Sequence, residues 1–350
     1  MTFADKLLAW YHENGRDLPW RHTDDAYMIW LSEIILQQTR VEQGMPYYHR
    51  FVQILPDVQA FAEATEEEVL RLWQGLGYYS RARNMHKAAR QVMERFQGVF
   101  PTHYENLITL QGVGDYTAAA ISSFSSNECR AVLDGNVFRV LSRVFGIDVP
   151  INSTEGKKIF KNLADELISP QHPGAYNHAI MDFGAIHCKP KQPLCPTCIF
   201  RLECRALMEN KVNELPVKLK GKASRDRYFH YFLLEKEGKI LMSKRGEGDV
   251  WANLYEFPLI ETEADCSLTD LYAHPDFHRH FEGALLHPLG GVVKHVLSHQ
   301  NIFARFYRIS ELPEVKEKKI CWDYFLLEKI DILAKHKLIF TFWDKYSKAN

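Results

Sequence analysis

Four cysteines, Cys188, Cys195, Cys198 and Cys204, crowd one short stretch of this 350-residue chain and constrain its fold more than any other feature. In a reducing compartment such a group reads as a metal or cluster site rather than as disulfides. Four thiolates suit a structural zinc or a [4Fe–4S] cluster. Zinc ribbons generally use two separated CxxC knuckles. Only one CxxC occurs here, Cys195 to Cys198, and a single compact loop suits the cluster. On either reading the loop is structural, because no open ligand position is evident. Of the seven cysteines, Cys129, Cys266 and Cys321 stand alone and are expected in the core.

The length predicts about two domains. Hydrophobic residues are 46 % and charged residues 25 %, which excludes a disordered or collagen-like chain. No apolar run approaches the ~18 residues of a membrane span. The N-terminus carries Asp5 early and lacks a small-residue cleavage site, so no signal peptide is expected. The chain is therefore expected to be cytoplasmic; separately, it is expected to be a monomer. A net charge of −1 does not advertise nucleic acid. Local positive charge is expected instead from Arg81, Arg83 and Lys87.

Residues 1–205 read as helices. Tyr27, Trp30, Leu31, Ile34 and Ile35 have helical spacing within 25–39. Thr65, followed by three glutamates, and Asp134, before Val137, Val140, Leu141 and Val144, read as N-caps. Residues 206–227 read as a polar linker with Pro216 and Gly221. From 228 to 350 the pattern becomes α+β: strands over 228–234, 240–242, 292–297 and 302–307, and a helix over 323–330.

Gly112 and Gly114, in LQGVGDYTAAAI, allow a tight turn whose backbone N–H groups open a helix and can hold a phosphate. Glu33 is a lone carboxylate inside an apolar helix. Burial without a cation raises a carboxyl pKa, which suits a general acid.

The motif LQGVGDYTAAAI, with Asp134 following in LDGNV, resembles the helix-hairpin-helix of DNA glycosylases. The cysteine loop is similar to that of the endonuclease III superfamily. WLSEIILQQTRVEQ and GLGYYSRARN resemble the adenine glycosylase (MutY) branch. The resemblance implies a helical glycosylase domain over 1–205, with its hairpin at about 105–125 and one [4Fe–4S] cluster held in 188–204. It implies removal of adenine from double-stranded DNA where it faces 8-oxoguanine or guanine. Glu33 would act on adenine N7 and Asp134 would face the sugar. Lyases of the superfamily carry a lysine where this chain has Tyr116, and a phenol cannot form their imine. The chain is therefore expected to be monofunctional, with Tyr116 assisting Glu33 or Asp134 and Asn136 orienting. Trp20, Arg21 and Leu36 match adenine-pocket positions. Gln38 and Tyr78 match wedge positions that fill the space left by a flipped base. His178 stands where relatives carry Gln or Glu.

The part beyond the cysteines resembles a Nudix domain that recognises 8-oxoguanine. Gly283–Gly291 is not followed by the acidic helix a Nudix hydrolase uses to hold Mg²⁺, so recognition without hydrolysis is expected. Ser298 and His299 match the family's Phe-Ser-His loop, with Leu297 in place of Phe. In WANLYEFP, Asn253 replaces a glycine common there.

Overall fold

The computed structural model describes residues 1–221, 223–310 and 321–349. Contacts divide the chain into two compact units. One is Met1–Ala64 with Asn84–Lys220, and the other is Thr65–Arg83 with Gly221–Asn350. This differs from the boundaries expected from sequence in two respects. Residues 206–220 belong with the first unit, and 65–83 belong with the second. Lys222 of the expected linker lies outside the described residues.

The first unit is helical. Its central helix, Ala26–Ile35, is capped by the Asp25 carboxylate, which accepts the Tyr27 N–H at 2.8 Å. All its residues except Met28 are buried. A helix apolar on every side must sit inside the core, so it packs against Asp115–Ser126, where Ala118, Ala119 and Ala120 add little bulk. The turn before that helix requires glycine. Gly112 has φ +78°, and a Cβ there would stand 2.6 Å from the Asn84 Cβ. Gly114 caps the helix without a side-chain bond. Helix Gly135–Phe145 buries Val137, Val140, Leu141 and Val144. Helix Pro173–Asp182 runs into a π-helical turn, Phe183–His187, that delivers Cys188. Cys188 and Cys198 pack on the same core as Phe183 and Phe200.

The second unit is a mixed sheet. Strand β1 (Arg225–Lys236) pairs in parallel with β7 (Gln300–Ile309), with Arg225 opposite Gln300 and Leu234 opposite Ile309. Around them lie β2 (Lys239–Lys244), β3 (Tyr255–Glu256), β4 (Leu259–Thr262), β5 (Leu286–Pro288), β6 (Val293–Val296) and β8 (Trp322–Leu326). The path runs β3-β2-β1-β7-β5, with β4 on β1, β6 on β7 and β8 on β2. The helix expected over 323–330 is a correction: residues 322–326 form β8, and only Leu327–Ile330 is helical. Trp322 and Tyr324 alternate onto the core built by Phe232, Leu241 and Phe281, and period two suits a strand. The isolated thiols also differ from expectation. Cys129 and Cys321 are exposed, because they fall in a loop and at a strand margin, whereas Cys266 is partly buried against the core of the second unit.

Candidate active site

One cleft of the first unit is lined by Glu33, Leu36, Gln38, Tyr116, Asp134, Asn136 and Arg139. Glu33 is buried, and the Tyr116 hydroxyl donates to its Oε2 at 2.9 Å. Burial pushes its carboxyl up to about 7. The Tyr116 hydrogen bond and Arg21 pull the other way, and neighbouring Asp134 adds to the rise. Burial and the same carboxylates hold the Tyr116 phenol well above its ordinary value, so it stays a donor.

Asp134 is treated differently by the fold. As N-cap it accepts the backbone N–H of Asn136 at 2.8 Å and of Val137 at 2.7 Å on Oδ1, and the Asn136 amide at 2.7 Å on Oδ2. Burial holds its carboxyl above the ordinary value, and these bonds and Arg139 offset part of that rise. Two carboxyls thus share one cleft in unlike surroundings. Three donors favour the charged form of Asp134, and Glu33 has a single phenol.

Arg139 ties this turn to the cysteine loop. It donates to Asn136 Oδ1 at 2.8 Å, to Gly184 O at 2.6 Å and to Cys188 O at 2.8 Å. Cys188, Cys195, Cys198 and Cys204 line one cavity with Arg143, Phe183 and His187. Arg143 Nη1 lies 3.5 Å from Cys188 Sγ, and the Phe200 N–H lies 3.4 Å from Cys198 Sγ. Among the described residues, no group of three or more His, Cys, Asp or Glu could hold a single metal ion. A cubane cluster spreads its four thiolates over four irons. What it requires is therefore a thiol-lined cavity, and that is the arrangement present.

Arg21 grips buried Asp182 through two bonds of 2.7 Å, and Arg16 grips the same carboxylate. Trp20 is buried edge-on to Tyr48. His178 stacks on Phe124 at 3.8 Å with the Tyr11 ring nearby, and burial with Arg21 pushes it down to about 3. Trp20, Arg21 and His178 do not line the cleft. Arg21 reaches Glu33 only through its charge.

A second cleft, within the second unit, is lined by Tyr78, Arg83, Asp249, Trp251, Leu297, Ser298, His299 and Gln300. The Tyr78 hydroxyl and Ser298 Oγ are 2.8 Å apart. Gln38 and Tyr78, the expected wedge residues, have φ of +56° and +49°. Left-handed backbone at a non-glycine residue is strained, and such strain gathers at functional sites. Asn253 has φ +64°, a conformation asparagine tolerates. The expected basic surface is corrected in part. Arg81 is buried over the Trp73 and Tyr78 rings, and Arg83 donates to Ala252 O at 2.9 Å. Lys87 is exposed.

The sequence reading missed Arg139, Asp249, Gln300 and the lysines Lys157, Lys158 and Lys161, which line a pocket beside Tyr116. The repeated lysines were the one signal available for that pocket.

Residues 31–169 match the HhH-GPD superfamily of base excision DNA repair proteins, and residues 230–344 match the NUDIX domain. The chain is 35 % identical over 264 residues to the adenine DNA glycosylase of Buchnera aphidicola subsp. Acyrthosiphon pisum, covering 75 % of each chain. It is 44 % identical over 214 residues to that of Mus musculus, covering 59 % of this chain and 42 % of the mouse protein. Among solved structures, a thermostable thymine-DNA glycosylase is similar, with TM-score 0.55 and 28 % identity over 59 % of this chain and 95 % of that one. An endonuclease III in a DNA complex, at TM-score 0.52 and 20 % identity over 59 % of this chain and 94 % of that one, shares the fold. With helix-hairpin-helix and Nudix-like parts in one chain and this identity over three quarters of a curated relative, the chain belongs to the adenine DNA glycosylase family of base excision repair.

Proposed function

We propose that the enzyme removes adenine facing 8-oxoguanine or guanine in duplex DNA, and that it stops at the abasic site. The observation that carries this reading is the pair of buried carboxyls in one cleft, Glu33 bonded to a single phenol and Asp134 to three N–H donors. Glu33, with a pKa of about 7, keeps a proton to give at neutral pH. Delivered to adenine N7, that proton lets the base leave with both electrons of the C1′–N9 bond. Asp134, held by three N–H donors, offers negative charge to the cationic sugar. Water then adds at C1′ and loses a proton.

Tyr116 fixes the Glu33 carboxyl and holds no amine, which supports a hydrolytic reaction without an imine. Leu36 and Gln38 line the same cleft and suit contact with the base and its stacked neighbours. Cys188, Cys195, Cys198 and Cys204 would hold a [4Fe–4S] cluster, which would staple the loop that bears on Arg139. The second cleft supports reading of the facing base, because Tyr78, Ser298 and His299 meet there with Leu297 beside them.

The test is single-turnover reaction on duplexes with adenine opposite 8-oxoguanine, guanine or thymine. Free adenine should appear from the first two. The strand should break only after alkali, and borohydride should trap no covalent adduct. An efficient trapped adduct, or equal release opposite thymine, would overturn the reading.

A further inference from the structure

The second cleft has two walls, and one buried guanidinium bonds to both. Asp249 and Trp251 belong to the turn after β2, and Leu297, Ser298, His299 and Gln300 belong to the β6–β7 hairpin. Arg227, in β1, has a side chain only 9 % exposed. It gives Nη1 and Nη2 to Asp249 Oδ1 and Oδ2 at 2.7 and 2.8 Å. It gives Nε and Nη2 to Glu261 Oε1 and Oε2 in β4 at 2.7 and 2.6 Å. Its remaining Nη1 hydrogen goes to Gln300 Oε1 at 3.0 Å. An arginine has five N–H donors in a planar fork, and here each is used.

The Asp249 wall is further locked beneath. Arg245 donates to Asp249 Oδ2 at 2.5 Å, to Val250 O at 3.0 Å and to buried Glu256 at 2.8 Å. Trp251 takes φ +64° and stacks at 3.7 Å on His336, which is itself 3.2 Å from Glu256. A strained tryptophan persists only where its surroundings over-determine it.

We propose that Arg227 is a positioning residue that sets the spacing of the two walls and thereby the discrimination of the facing base. This rests on the reading of the second cleft given above. Arg227 itself does not line the cleft. It holds Asp249 on one wall and Gln300, next to Ser298 and His299, on the other. Lysine keeps the charge but has three donors at one point and cannot bridge three partners.

The experiment compares single-turnover rates on adenine opposite 8-oxoguanine and opposite guanine for the full-length holoenzyme and three variants. Ser298→Ala/His299→Ala tests the reading itself and should lower the 8-oxoguanine-to-guanine rate ratio by roughly tenfold. Arg227→Lys should lower the ratio by roughly fivefold, about the worth of one misplaced hydrogen bond, with the 8-oxoguanine rate falling more. Glu261→Gln weakens the hold on Arg227 from outside the cleft lining and should lower the ratio by less. If the double variant leaves the ratio unchanged, the reading fails and the inference with it. If the double variant lowers it but Arg227→Lys folds with an unchanged ratio, or slows both substrates equally, the inference alone fails. If Arg227→Lys does not fold, Glu261→Gln decides: a lowered ratio upholds the positioning role, and an unchanged ratio overturns it.

Discussion

Replacing Glu33 with glutamine should remove activity and make the folded protein more stable at alkaline pH. Burial moves this carboxyl from its ordinary value near 4.5 to about 7. A folded-state pKa above the unfolded one gives stability that is whole below about 4.5 and is lost as pH rises through about 7. At about 1.4 kcal/mol per pKa unit, the complete loss is about 3 kcal/mol. Part of it has already occurred by pH 5, so roughly 2–3 kcal/mol remains to be lost between pH 5 and pH 8. The substituted amide would keep the shape and still accept the Tyr116 hydroxyl, but it cannot ionise. The variant should therefore show little advantage at pH 5 and exceed the parent by roughly 2–3 kcal/mol at pH 8. Urea midpoints at the two pH values, with the slope unchanged, measure the difference directly. An identical difference at both would refute burial as the origin of the perturbed acid.

Three further outcomes follow from the same geometry. Tyr116→Phe deletes the hydrogen bond that lowers the Glu33 pKa, so the alkaline limb of the single-turnover pH profile should move upward even as the maximum rate falls. An unmoved limb would count against the Tyr116–Glu33 bond. Asp134→Asn should slow excision by roughly 10²-fold or more while duplex affinity persists, as read by single-turnover kinetics and equilibrium binding; loss of affinity in step with rate would mark a structural cap. Purified protein should be brown with about four irons per chain, and Cys198→Ser should lower the iron content. A colourless protein with one zinc would contradict the cluster.

Much of the first cleft was legible because its chemistry is local in the chain. Asp134 caps a helix whose apolar positions are regular, and Gly112 marks a turn that only glycine fits. Glu33 stands out as a lone carboxylate in an apolar helix, though periodicity alone also allowed it to face solvent, and the fold buries it. Which of the two carboxyls Tyr116 meets was not legible, since its bond to Glu33 joins residues far apart in sequence. Nor was the allegiance of residues 65–83. Their helix Glu66–Leu72 reads correctly from Thr65 and its capping box, yet which body they join depends on distant partners such as Lys335, whose carbonyl accepts the Tyr79 hydroxyl at 3.0 Å. In the second unit, the short strands Tyr255–Glu256 and Leu286–Pro288 carry too few residues for alternation to register. Residues 323–326 passed for helix because the aromatic and acidic residues there suit either state until Trp322 and Tyr324 find a core. Arg227 drew no notice, because a single arginine in a strand announces nothing until Asp249, Glu261 and Gln300 converge on it.

The central claim is that Glu33 gives adenine its proton. Its most direct test is single-turnover release of adenine opposite 8-oxoguanine at neutral pH by Glu33→Gln, with duplex affinity measured alongside. The predicted result is excision slower by roughly 10²-fold or more with the duplex still bound. Near-parental excision would contradict the claim.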